Sequence, residues 1–127
     1  MKRAWYLSSF VLTLLFSACS EDEEVVQPAN LTIQERIVDE TKLSFSIMVD
    51  ESVTEGTTYA AIQEEGEAAL TADLIKNHST KLQKQVSSVA FIGSFGSLEP
   101  KTNYVIYAFV ETDGVAGGVA TMNVTTK

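Results

Sequence analysis

The sequence predicts an all-β sandwich interrupted by one short helix. Three observations carry this. Apolar residues alternate with polar ones in several separate runs, turn-forming residues punctuate those runs at short intervals, and a single stretch in the middle switches to helical spacing. At 127 residues, with 45% hydrophobic and 20% charged side chains, the chain is apolar enough for one packed core and too short for two. Three segments are expected: an apolar leader over residues 1–18, a polar tether over residues 19–30 and the folded domain over residues 31–127.

The N-terminal segment opens with basic Lys2 and Arg3, followed by an apolar stretch from Ala4 to Phe16. That stretch suits the apolar part of a removable signal and falls short of the roughly 20 apolar residues that a permanent membrane helix needs. Phe16-Ser17-Ala18-Cys19 follows, placing two small residues before the sole cysteine of the chain. This order resembles the lipobox of bacterial lipoproteins, with Phe16 where leucine is usual. The resemblance implies cleavage before Cys19, acylation of its thiol and amine, and a membrane as the first partner of the chain. Acyl chains contribute about 0.8 kcal/mol per buried methylene, so two or more anchor a protein durably. After Ser20 come Glu21, Asp22, Glu23 and Glu24, whose mutual repulsion predicts a solvated, extended tether. The acidic run resembles the surface-export signal of Bacteroidota-type lipoproteins, which implies display on the outer face of the outer membrane. A periplasmic location is the alternative, with the run serving only as a spacer.

From Leu31 the period is two. Leu31 and Ile33 alternate with Thr32 and Gln34, and after a polar turn at Asp39-Glu40-Thr41, Leu43, Phe45, Ile47 and Val49 alternate with Ser44, Ser46, Met48 and Asp50. Asp50 to Gly56 reads as a turn and Thr57 to Gln63 as a third strand. Glu64 to Lys84 breaks the pattern: Leu70, Leu74 and Ile75 sit at helical spacing, Thr71 is placed to cap the helix, and Asp73 falls in its first turn. A short helix is therefore expected from about Ala72, with Lys81 to Val86 returning as an edge strand whose lysines discourage pairing with other chains. Val89, Phe91, Gly93 and Phe95 then alternate with Ser88, Ala90, Ile92 and Ser94. Tyr104, Ile106, Ala108 and Val110 alternate with Val105, Tyr107 and Phe109. Asp113-Gly114 supplies a hairpin turn, and Ala120, Met122 and Val124 close the series.

Leu98-Glu99-Pro100-Lys101-Thr102-Asn103-Tyr104 closely resembles the segment that enters the penultimate strand of fibronectin type III domains, a Leu-x-Pro-x-Thr-x-Tyr pattern. The resemblance spans Leu31 to Lys127 and implies an immunoglobulin-like β-sandwich. It also implies a tyrosine corner, in which Leu98 plugs the core, Pro100 stiffens the turn and the hydroxyl of inward-facing Tyr104 bonds to upstream backbone. Phe45 stands where that family usually buries a tryptophan. The segment from Glu64 to Lys84 is longer and more helical than usual.

Function is less legible. Nine basic residues face seventeen acidic ones for a net charge of −8; without Lys2 and Arg3 the balance is 7 against 17, or −10, which repels nucleic-acid backbones. One cysteine excludes an internal disulfide or a cysteine-built zinc site, and His78, the only histidine, reads as a surface residue after the helix. Neither a nucleophile elbow, nor a phosphate loop, nor a calcium loop is legible, so no catalytic residue, cofactor or metal is expected. If Tyr104, Ile106, Ala108 and Val110 face the core, Val105, Tyr107 and Phe109 form an outward apolar stripe. Either the inserted helix covers it or it is a contact surface for a protein or glycan. The expectation is a non-catalytic, surface-anchored binding or adhesion module, or an accessory of an envelope assembly. A structural spacer or assembly factor of an outer-membrane complex, for example one for glycan uptake, with no ligand of its own is the alternative.

Overall fold

A computed structural model describes residues 29–127. Cys19 and the acidic residues Glu21, Asp22, Glu23 and Glu24 lie outside the described residues, as does the expected signal. In chain order the elements are β1 (Leu31–Val38), β2 (Leu43–Val49), β3 (Thr57–Glu64), α1 (Ala72–Lys76), β4 (Leu82–Gln85), β5 (Phe91–Phe95), β6 (Asn103–Thr112), β7 (Val115–Ala116) and β8 (Ala120–Thr125).

The strands make two antiparallel sheets. One has the order β1-β2-β5 and the other β4-β3-β6, with β7 and β8 sharing the far side of β6. Thr112 pairs with Val115 across Asp113 and Gly114, both at positive φ (53° and 78°). A two-residue turn of that hand matches the twist of the flanking strands, which is why Asp-Gly forms it. The edge formed by β7 and β8 is interrupted at Gly117, whose N–H donates to Val110 O at 2.8 Å. A Cβ on Gly117 would press on the Asn30 side chain at 3.1 Å, so the small residue lets β1 begin alongside.

Alternation sends Leu43, Phe45 and Ile47 from one sheet and Tyr104, Ile106, Ala108 and Val110 from the other into a shared core. Phe45 is fully buried, stacks on Phe95 at 5.2 Å and meets Phe91 at 6.1 Å. Gly93 makes this possible: a Cβ there would lie 2.7 Å from Phe45 Cζ, so a side chain at 93 would displace the ring. Strand β1 carries a bulge between Glu35 and Ile37, which turns Ile37 out of the core to 61% exposure.

Two expectations are corrected. Strand β5 begins at Phe91, not at Ser88; Val89 lies in the preceding loop and is 68% exposed. Leu74 does not join the apolar face of α1, being 52% exposed. Adjacent helical residues diverge by about 100°, so Ile75 points inward, with Ala72 three positions before it on the same face, and Leu74 is turned away.

The two ends of the sandwich differ. Leu31 pairs with Val49 and Asn30 O accepts from Asp50 N at 2.9 Å, so the chain enters beside the loop joining β2 to β3. The loop joining β4 to β5 lies at that same end, since Val86 N donates to Gly56 O at 2.9 Å. Lys127 lies at the opposite end, where its N–H donates to Asp39 O at 3.2 Å.

Candidate functional site

The segment from Leu98 to Tyr104 forms a closed turn. Tyr104 is buried between the sheets, and its hydroxyl accepts from Glu99 N–H at 2.8 Å. Thr102 Oγ1 donates to Pro100 O at 2.9 Å, and Thr102 N–H donates to Thr126 Oγ1, which in turn donates to Glu99 O at 2.6 Å. Leu98 packs against the core from the same turn. These bonds satisfy the backbone at a tight corner, so their role is to fix the entry of β6.

Strand β6 is buried on both faces. Its second face places Tyr107 and Phe109 in a cluster with Ala61 and Ile75, flanked by Tyr59, Leu70, Ala72 and Val105. The stripe of Val105, Tyr107 and Phe109 is therefore not a contact surface. An apolar sheet face and an apolar helix position both need burial, and α1 answers both. Tyr59 stacks on Phe109 at 5.2 Å, and Lys76 Nζ lies 5.6 Å above the Tyr59 ring while bonding Glu111 Oε2 at 2.8 Å. The hydrogen bond to Glu111 holds the Lys76 ammonium above the ordinary lysine range, against a smaller opposing effect of burial. Thr71 caps the helix, accepting from Leu74 N–H at 3.4 Å.

His78 is half-buried. Its Nδ1 accepts from Thr80 N–H at 3.2 Å and lies 2.9 Å from the Thr80 hydroxyl, which accepts from Ile62 N–H at 3.0 Å. Thr80 thus prolongs the edge of β3 where β4 has not yet begun, and His78 holds Thr80 in place. Among the described residues no group of three His, Cys, Asp or Glu could hold a metal ion.

An open groove of about 460 Å³ lies between the loop joining β2 to β3 and the loop joining β4 to β5. Apolar Met48, Val53, Val86 and Val89 line it, with Asp50 and Glu51 as its only ionisable side chains and no aromatic one. Met48 is 50% and Val89 68% exposed, and both line this one groove. Reading along the chain does not find this site, because its walls are 30 or more residues apart; only the Ser87-Ser88 step before Val89 hints at a loop there.

Known proteins agree on the fold. No family profile matches the chain, and no curated protein sequence is similar to it. Among solved structures, a computationally redesigned β-sandwich protein superposes with TM-score 0.54 at 15% identity, over 75% of this chain and 85% of that one. The FN1–FN3 domains of chicken CNTN1 give 0.55 at 13% identity, over 90% of this chain and 35% of the three-domain fragment. The FN5 domain of Drosophila Lar gives 0.50 at 17% identity, over 80% and 97%. The described domain therefore has the fibronectin type III-like β-sandwich fold, with a short helix added on the outer face of its larger sheet.

Proposed function

We propose that the chain is a non-catalytic binding module, held on the outer membrane by acyl chains on Cys19 and displayed at the cell surface, where it serves adhesion or an envelope assembly. The observation that carries the binding half is the groove at the entry end of the sandwich, where Met48 and Val89 stand in water. A protein fits it better than a glycan. Sugars are best held by exposed aromatic rings, and the aromatic residues that could have served, Tyr107 and Phe109, lie under α1. The anchoring half rests on the order of basic, apolar and small residues before Cys19 and on the acidic run after it.

Fractionation of cells that produce the full chain tests the anchor. The parent is expected in the membrane fraction and open to protease added outside the cell, whereas Cys19→Ala is expected either uncut or soluble. A Cys19→Ala chain that loses its signal and still partitions wholly into the membrane would contradict the anchor, and a parent protected from external protease would contradict surface display.

A further inference from the structure

We propose that the groove between the β2–β3 and β4–β5 loops takes a protein segment whose apolar side chains are flanked by lysine or arginine. This rests on the groove being the contact site. The apolar floor sets half of the chemistry, since Met48 and Val89 lose water only against another apolar surface. Charge sets the other half. The β2–β3 loop carries Asp50, Glu51 and Glu55, the β6–β7 turn at the same end carries Asp113, and the β4–β5 loop from Val86 to Ala90 has no charged residue. None of these three loops has a lysine or arginine. At the opposite end the charges are mixed, with Lys42, Lys101 and Lys127 among Asp39, Glu40 and Glu99; Lys101 N–H donates there to Lys127 O and Lys127 N–H to Asp39 O.

Other occupants fit less well. Residues 29–127 carry 7 basic against 13 acidic side chains, so a second copy meeting this one groove to groove would bring the same acidic end, and a head-to-tail copy would bring Lys42, Lys101 and Lys127 only together with Asp39, Glu40 and Glu99. An anionic bilayer meets the same repulsion. The chain enters the described domain beside Asp50, whose N–H donates to Asn30 O at 2.9 Å. A basic partner gains from all of these charges, first in its rate of encounter and then in its register.

The test uses the full chain in nanodiscs of zwitterionic lipid and a labelled twelve-residue peptide alternating valine and lysine. One comparison peptide replaces lysine by glutamate and another replaces valine by serine. The valine–lysine peptide is expected to bind saturably and more weakly as salt rises, while the other two do not bind. Val89→Ser is expected to weaken binding about tenfold by removing apolar contact, and Asp50→Lys with Glu51→Lys at least about tenfold by reversing the rim. All three positions are exposed, so these variants should keep the fold, checked by an unchanged urea midpoint. Equal binding of the glutamate peptide would overturn the basic partner and leave the groove as a contact site. Binding indifferent to Val89→Ser and to the rim reversal would overturn both. Failure of the valine–lysine peptide to bind would overturn the proposal, as would self-association through the groove or preferential seating on nanodiscs of anionic lipid.

Discussion

Phe45→Ala is expected to destabilise the domain by about 3–5 kcal/mol, much of the 5–15 kcal/mol typical of a small domain. The reason is geometric. The Phe45 ring is fully buried between the sheets, stacked on Phe95 and tilted against Phe91, and β5 has been hollowed at Gly93 to receive it. Truncation would leave a void that neither sheet can close without losing β2–β5 pairing, because Phe45 and Gly93 are direct cross-strand partners. Urea unfolding of the chain from Ser20 onward measures it, with Ile37→Ala as a control at an exposed position of β1. A Phe45→Ala midpoint equal to that of Ile37→Ala would mean that the two sheets do not meet at this ring.

Tyr104→Ala is expected to cost a similar amount, about 3–5 kcal/mol, through the cavity it opens between the sheets. Tyr104→Phe separates the two contributions. It keeps the ring and removes only the acceptor of the Glu99 N–H bond, leaving that donor unpaired at a cost of about 1–3 kcal/mol. The same urea experiment applies. If Tyr104→Phe unfolds at the parent midpoint, the hydroxyl contributes nothing to the corner and the entry of β6 is fixed by Thr102 and Thr126 alone.

Much of the fold is legible in the sequence where a single rule acts locally. The alternation of Tyr104 to Val110 assigns both faces of β6, Asp113-Gly114 marks its turn, and Thr71 marks the first residue of α1 as Ala72. Legibility fails where two elements decide together. Leu74 and Ile75 look equivalent along the chain, and only the position of β3 and β6 selects Ile75. Ser88 to Ala90 continue the alternation of β5, yet Val89 is drawn off into the loop that walls the groove. The stripe of Val105, Tyr107 and Phe109 is read correctly as outward from the core, and only the packing of α1 decides that it is covered. The groove is invisible for the same reason: Met48 and Val89 belong to different runs and become neighbours through sheet pairing of β2 with β5.

The claim that the groove is a contact site is tested most directly in the producing cells, with a photo-crosslinking amino acid placed at position 89 of the full chain. Thr121, exposed on β8, is the control position. The account predicts one discrete crosslinked protein from position 89, lost when Asp50 and Glu51 are changed to lysine, and none from position 121. Equal crosslinking from the two positions, or a product at 89 that survives the reversal of both acidic residues, would contradict it.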